Sequence, residues 1–551
     1  MPSDRRMPNT RVPGVRQLVI LEILTATAAG AAIGLNAPWW AVALAAMTTI
    51  ALGIAGTPIA RTLRARSAFL LRGRLPDTPM TGPTVEVATP DGPIGTRWNG
   101  TTVATVIAID ASGPSIAAIS PHGRPGDRYG GAQRPLPLDL IADSLRQPDI
   151  RLASIDVISH ARRLHPHSPL AKVYHRIVGP LPVAAHRATY LLLRLDPHDN
   201  PAAVARRGGG TAGTHRAATL ATRRLVHRLR DSGYRARPLN AADVDRAELD
   251  LLDGQHPRKL SEDLGSMASG VRRTATYSIA PEAIPEILAT CWAVPADTTS
   301  LTLTLAPASG ERITISGLLR HTATGDLPDA GPGAHRLFGR QRHALAASLP
   351  GGPDPVDLPP GRIVSRSDLG VLSLAPGGCG QLLGAHPTGA AVFAPIFGPA
   401  VATVSVTADI SLIRQIVVRA IAIGARIVVH TDRPDRWLPL AASIGDSQWL
   451  RITTAEPARS PFDLVVLDGI RPGSTGSGTT AFAPTVLTVT TSDGPAADLR
   501  ITQNSGTAQD FVVTANGHSV PVTMVTTGDE RAWFVGPDDA ADELVLAAER
   551  A

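Results

Sequence analysis

One stretch limits what this chain can fold into more than any other: between residues 18 and 60 the only charged side chain is Glu22. The run breaks once, at Asn36-Ala37-Pro38, and Trp39-Trp40 follow the break. This pattern predicts two transmembrane helices, over 18–35 and 39–59, joined by a tight turn. At about 1.5 Å per residue they reach about 27 Å and about 31 Å, against a hydrocarbon core about 30 Å thick. The proline falls where the backbone has to leave the helix, and the paired indoles suit the headgroup layer. Small residues at Ala28, Ala29, Gly30, Ala31, Ala32 and Gly34, and at Gly53 and Gly56, would let the two helices approach closely. A cleaved signal peptide ending near Ala26-Thr27-Ala28 is the competing reading; the second apolar segment and the arginines after it count against it. Glu22 either snorkels to the interface or pairs with an arginine of a partner helix.

The charge is concentrated at the same end. Residues 1–75 hold nine arginines (Arg5, Arg6, Arg11, Arg16, Arg61, Arg64, Arg66, Arg72, Arg74) against Asp4 and Glu22, whereas the rest of the 551 residues carry 44 basic and 45 acidic side chains. Arginines before the first span and after the second, with none between, predict a multi-pass membrane protein with both termini cytoplasmic. The body beyond residue 75 is close to neutral, which argues against nucleic acid as a partner. Two cysteines, Cys291 and Cys379, exclude a disulfide framework, and no CxxC pair is present to begin a zinc or redox site.

Beyond a basic tail (1–16) and the spans (17–60), a basic, proline-rich linker covers 61–93, and turn and strand signals then divide the chain into two soluble domains. The first, 94–320, opens with a hairpin: 94–98, the Asn99-Gly100 turn, then the β-branched run 103–109. Helical spacing follows at 137–146, strand alternation at 150–159, a nearly continuous apolar run at 188–195, and an amphipathic helix at 214–230. Residues 321–360 are rich in glycine and proline and read as a linker. In the second domain, 361–551, strands at 402–407, 425–431, 449–452, 463–467 and 485–490 alternate with helices at 410–424 and 437–444, and Asn516-Gly517 marks a late hairpin. The fold class expected is therefore the transmembrane hairpin followed by a cytosolic α/β region, Rossmann-like, on a mixed sheet.

Several motifs could carry chemistry. Gly208-Gly209-Gly210-Thr211-Ala212-Gly213 satisfies GxGxxG ahead of a helix, yet the preceding strand ends near Leu195, too early for a dinucleotide loop. No GxxxxGK[ST] exists, so Leu464-Val465-Val466-Leu467-Asp468, which resembles a Walker B strand, has no phosphate loop to serve, and Asp468 reads as a strand-end turn residue. Asp243-Val244-Asp245 could be a metal-binding DxD, or a helix start. His160, His165 and His167 lie among arginines and prolines, a poor setting for a metal. His430-Thr431-Asp432-Arg433-Pro434 stands at the C-terminal end of an expected parallel strand, where α/β sheets hold ligands, although Asp432 and Pro434 also suit the start of the next helix. No HExxH or GxSxG occurs.

Taken together the words of the sequence resemble the EccE family, a membrane component of type VII (ESX) secretion systems. The resemblance rests on Gly95-Thr96-Arg97-Trp98-Asn99-Gly100-Thr101, Leu136-Pro137-Leu138-Asp139-Leu140, Ile155-Asp156-Val157 and Ser159-His160. It continues through Gly179-Pro180-Leu181-Pro182, Ala185-His186-Arg187, Leu193-Arg194-Leu195-Asp196-Pro197, Asn200 and Ala205-Arg206-Arg207-Gly208-Gly209-Gly210. In the second half it includes Ile396-Phe397-Gly398-Pro399, the run from Arg419 to Arg426, and Val429-His430-Thr431-Asp432-Arg433-Pro434. What it implies is a non-catalytic scaffold in the bacterial inner membrane, assembling with EccB, EccC and EccD, with no catalytic residue, cofactor or metal of its own. The glycine run becomes a structural or contact loop under this resemblance. The alternative is a membrane-anchored α/β enzyme, glycosyltransferase-like or nucleotide-binding, using strand ends near Asp432 or Asp243. The two separate in a thermal shift: a scaffold's melting temperature is expected not to move with nucleotides, nucleotide sugars or Mn²⁺, and a rise of several degrees would favour the enzyme.

Overall fold

A computed structural model describes residues 80–534, except 112, 121–133, 166–167, 180, 182, 354–360, 455–461, 471–483, 491–495 and 505–508. The strands in chain order are β1 (Thr84–Val87), β2 (Ile94–Trp98), β3 (Val103–Asp110), β4 (Ala117–Ile119), β5 (Ser154–Arg162), β6 (His186–Leu195), β7 (Arg235–Pro238), β8 (Ser261–Glu262), β9 (Met267–Ser269), β10 (Arg272–Ile279), β11 (Thr298–Pro307) and β12 (Ile313–Thr324). They continue with β13 (Ala334–Arg336), β14 (Arg362–Val364), β15 (Gln381–Ala385), β16 (Ala391–Ala394), β17 (Thr403–Thr407), β18 (Ile427–Thr431), β19 (Leu450–Thr453), β20 (Leu464–Asp468), β21 (Thr485–Val489), β22 (Leu499–Gln503), β23 (Asp510–Ala515) and β24 (His518–Thr523). The helices are α1 (Leu138–Asp143), α2 (Ala171–Val178), α3 (Pro201–Ala205), α4 (Gly210–Asp231), α5 (Ala241–Leu251), α6 (Ile284–Thr290), α7 (Gln341–Ala347), α8 (Arg366–Gly370), α9 (Ile410–Ala422), α10 (Leu438–Ile444) and α11 (Gly528–Phe534). The described residues fall into two compact units, a small one holding Glu262–Ser266 and Leu337–Gln341, and a large one holding the rest. Within the small unit Gly339 N–H donates to Leu264 O at 2.6 Å.

The first sheet of the large unit runs β1-β2-β3-β6-β5-β11-β12-β10-β9, with its registered pairs antiparallel. Asn99-Gly100 makes the β2–β3 turn: Asn99 Oδ1 accepts from Thr102 N–H at 2.7 Å and Gly100 takes φ 100°. Alternation then sorts the side chains. Val103, Ile107 and Ile109 of β3, with Leu191, Leu193 and Leu195 of β6, pack under α4 through Ala217, Ala221, Leu225 and Leu229. Ala104, Val106 and Ala108, with Leu192, turn the other way, toward Val244, Ala247 and Leu251 of α5 and Leu345 of α7.

The second sheet runs β19-β18-β20-β21-β17-β22-β23-β24-β15-β16-β4. Its half from β19 to β22 is parallel and its half from β22 to β4 is antiparallel. The core centres on α9, buried almost all round, against Phe393, Val406, Val429, Trp437 and Phe511. β4 leaves the first sheet's neighbourhood to pair with β16, and Tyr174 of α2 accepts from Leu382 N–H at 2.8 Å.

Two expectations need correcting. The region is not Rossmann-like: the first sheet is antiparallel, and the parallel strands of the second are ordered β19-β18-β20-β21-β17-β22 before the sheet turns antiparallel. The misreading has a physical cause. Strands covered on both faces lose the one-sided alternation of an ordinary antiparallel sheet and read as central parallel strands. The expected N-terminal two-helix hairpin is also not part of the observed architecture. Its spans (18–35 and 39–59), Glu22 and the flanking arginines lie outside the described residues, and no helix among the described residues is long and apolar enough to cross a membrane.

Close backbone approach makes one glycine in the second sheet indispensable. Gly380 has φ 84°, its N–H donates to Ala185 O at 3.0 Å, and a Cβ there would stand 2.0 Å from the Ala394 carbonyl carbon. Backbone cannot yield as a flexible side chain can, so Gly380→Ala is expected to cost at least about 3 kcal/mol in urea denaturation. Gly370→Ala, which meets nothing within 4 Å, serves as the control, expected to stay within about 0.5 kcal/mol of the parent.

Candidate functional site

The face of the first sheet that meets α5 and α7 is polar and buried. Ser154, Asp156 and His160 of β5, Arg194 of β6, Ser300 and Thr302 of β11, Arg320 and Thr322 of β12, and Thr274 of β10 are all buried. The sequence shows this face as the polar half of an alternating pattern, as in Ser300-Leu301-Thr302-Leu303-Thr304-Leu305, which reads equally well as a solvated strand face.

Two arginines on this side close a turn over the sheet. Arg194 Nε and Nη2 donate to Asp156 Oδ2 at 3.1 and 3.0 Å, and its remaining donors reach Gly352 O at 2.6 Å and Ala347 O at 3.2 Å. Both side chains of that pair are fully buried. Arg97 stands 2.7 Å from Asp245, 2.6 Å from Glu248 and donates to Pro350 O at 2.7 Å. Asp245 of the DxD motif is thus an arginine partner. Asp243 pairs with Arg237 at 3.1 Å, and the cap of α5 is Asn240, which accepts from Asp243 N–H at 2.8 Å. The glycine- and proline-rich segment 321–360, expected to be a linker, supplies α7 and the carbonyls these arginines need.

A second set of residues has the components of a nucleophilic triad. His160 Nδ1 lies 2.7 Å from Ser300 Oγ, and its Nε2 lies 3.3 Å from Asp253 Oδ1. Arg320 donates to Ser300 Oγ at 2.8 Å and to Leu251 O at 2.6 Å. Burial alone would raise the Asp253 carboxyl, but His160 and the charges of Arg162 and Arg272 override it and hold it far below the usual carboxylate range. Ser300 and His160 are register partners on neighbouring strands, and Ser300 is 2% exposed, so no substrate carbonyl can approach the hydroxyl. A small cleft beside this set is lined by Leu252, Asp253, Gln255, Thr274, Arg320 and Thr322, and Ser300 is not part of its wall. The hydroxyl, imidazole and carboxylate therefore form an internal polar chain.

At the C-terminal edge of the parallel strands the expected ligand position is occupied by the protein's own groups. Asp468, at the end of β20, is fully buried: it accepts from Thr431 Oγ1 at 3.1 Å and from Trp437 Nε1 at 2.9 Å, and it pairs with Arg433. It is more than a turn residue, since it ties β18, β20 and the start of α10 together. Asp432 stays largely exposed beside Gly469, and His430 is buried within β18. The glycine run Gly208-Gly209-Gly210 takes positive φ at all three residues before α4, which has no side-chain cap. His165 packs against Trp449, with ring centroids 5.1 Å apart, and His167 lies outside the described residues. Among the described residues no group of three or more His, Cys, Asp or Glu is placed to hold a metal ion. Both cysteines are buried and free, and burial pushes the Cys291 thiol up to about 12.

Sequence reasoning missed the last tie of this kind. Arg419 of α9 pairs with Glu530 of α11 at 2.6 Å, both 1% exposed, and donates to Leu382 O and Leu383 O at 3.0 Å each. An arginine set among apolar residues in the last turn of α9, between Val418 and Ala420, is the available signal.

Two histidines, buried His321 and half-buried His186, make the fold acid-sensitive. Burial holds His321 at about 4, and burial with the Arg162 charge holds His186 at about 4. The unfolded chain takes up these protons near pH 6.5 while the native protein refuses them, so the stability they confer is complete above 6.5 and is lost as pH falls toward 4. The loss is expected to be on the order of a few kcal/mol by pH 4. Urea titrations across this range should show it, with a flatter profile for the His186→Gln/His321→Gln variant. Asp253 adds a further loss below about pH 4, where its unfolded form binds a proton and its native form does not.

Comparison with known proteins gives this frame its relatives. Residues 183–279, from before β6 to β10, match the family model described as the type VII ESX secretion system translocon, EccE. The ESX-2 secretion system protein EccE2 of Mycobacterium tuberculosis (strain CDC 1551 / Oshkosh) is 29% identical over 331 residues, 58% of this chain and 57% of that protein. The ESX-1 secretion system protein EccE1 of Mycobacterium tuberculosis (strain ATCC 25618 / H37Rv) is 26% identical over 443 residues, 78% of this chain and 86% of that protein. The ESX-5 secretion system protein EccE5 of Mycobacterium marinum is 32% identical over 276 residues, 47% of this chain and 64% of that protein. The match thus spans little more than half the length of EccE2 and most of EccE1. By these matches the chain is similar to the EccE proteins of type VII secretion systems, the family model itself covering residues 183–279.

Proposed function

We propose that this protein is a structural, non-catalytic subunit of a type VII (ESX) secretion complex, associated with the bacterial cytoplasmic membrane and supporting export together with EccB, EccC and EccD. Residues 94–320 and 361–551 would act as its two cytosolic modules, offering surfaces to EccD and EccC. One observation carries the reading: the residues through which the sequence resembles EccE serve as internal ties. Arg97, Asp156, Arg194 and Arg419 are buried in ion pairs, and Thr431 and Arg433 are held by Asp468. Such groups fix loops and helices in place, which suits a body whose task is to present surfaces. The only hydroxyl–imidazole–carboxylate set found among the described residues is closed to substrate, as described above.

Association is the direct test. The full tagged chain, extracted from its own membranes in mild detergent, is expected to bring down EccB, EccC and EccD, identified by mass spectrometry. Isolation free of these subunits, combined with turnover of a nucleotide or nucleotide sugar by the purified chain, would overturn the proposal.

A further inference from the structure

The helix α4 divides its arginines between two jobs. From Arg206 to Arg237 the chain holds nine arginines and one acid, Asp231. On one flank Arg207 and Arg224 pair with Asp149, and Arg228 donates to Ser144 Oγ at 2.9 Å and stands 3.8 Å from Asp143, which also pairs with Arg366 at 2.8 Å, so that flank is partly neutralised against α1 and the loop after it. The outer line, spaced four, three, four and three residues apart, runs Arg216, Leu220, Arg223, His227, Arg230. Residues at this spacing share one side of a helix and span about 21 Å of its axis. Arg216 and Arg230 are exposed, as are Arg206 before the helix and Arg235 after it. The carboxylate set against the middle of this line is Asp91, 2.7 Å from Arg223 and 3.9 Å from His227.

We propose that this outer face of α4 docks on the anionic phosphate headgroups of a lipid bilayer. The inference rests on the membrane association proposed above. Charge complementarity supplies the attraction: guanidinium groups offer paired donors to phosphate oxygens and keep their charge at any physiological pH. The form of the surface favours a bilayer over a protein. Protein interfaces concentrate their affinity in a central cluster of tryptophan, tyrosine and arginine seated in desolvated pockets, whereas a headgroup layer asks only for a row of exposed cations on one plane. None of the large exposed hydrophobics lies on α4, and its outer line holds one half-buried leucine, Leu220. The helix also packs against β1 and β2, the first strands of the described residues, with residues 61–83 between the apolar 18–60 stretch and β1 in the sequence.

Arginine footprinting on the full chain tests this. The protein is reconstituted in nanodiscs of phosphatidylcholine alone, or of phosphatidylcholine and phosphatidylglycerol one to one, and treated with phenylglyoxal; each site is then read by mass spectrometry. Modification of Arg206, Arg216, Arg230 and Arg235 is expected to slow several-fold in the anionic discs and to recover in high salt. Exposed Arg312, on the β11–β12 turn, is the internal control and is expected to react alike in both. Equal rates at the α4 arginines in the two lipids would sink the proposal, as would protection that arises only when other secretion subunits are added, which would assign the face to a protein. Either outcome leaves the co-purification result untouched, so the two readings fail separately.

Discussion

The Arg194–Asp156 pair is the contact on which the first lobe turns. A guanidinium with no exposure carries a large desolvation cost, and it is tolerable only when every donor finds an acceptor. One carboxylate oxygen and the carbonyls of Ala347 and Gly352 take four of its five N–H donors, and in doing so they fix the path of the turn after α7. Arg97 fixes the same turn from β2, and Arg419 does the equivalent for α11 on the second lobe. Each tie joins segments far apart in sequence. Taking one partner out of such a pair leaves a stranded charge, which costs about 3–5 kcal/mol in typical proteins. The fold is therefore specified by a few long-range ionic locations as well as by its apolar cores.

Much of the second lobe was legible in the sequence, since its strands and helices are short, apolar and separated by turn residues. β17, α9, β18, α10, β19, β20 and β21 lie within a few residues of the expected positions, and the Asn99-Gly100 and Asn516-Gly517 hairpins are where turn chemistry places them. The first lobe was harder for a reason visible in β6. Leu191, Leu193 and Leu195 face α4 while Leu192 faces α5 and α7, so the strand reads as apolar on both sides whatever the direction of its neighbours. Strand direction is decided by connections and partners far along the chain, which local periodicity does not encode.

The candidate chemistry was legible in residue type and illegible in accessibility. His160 was weighed as a metal ligand beside His165 and His167; its partners are Ser300 and Asp253, on strands and loops remote in sequence. Asp468 was visible as the end of an apolar strand, but nothing local showed that Trp437, Thr431 and Arg433 would all converge on it. In both places the side chains that catalysis would need exposed are held inside.

The path of β4 has a consequence for how the protein is made. Ala117–Ile119 belongs to the second sheet, and its partner is β16, Ala391–Ala394. At about 5–20 residues per second on the ribosome, that partner follows on the order of tens of seconds later. Throughout the interval Ile116, Ala117 and Ala118, and then Tyr174 and Val178 of α2, wait with the core they belong to still unsynthesised. The first sheet can close early, but the apolar sides of β4 and α2 stay uncovered until the strands of the second sheet have been made.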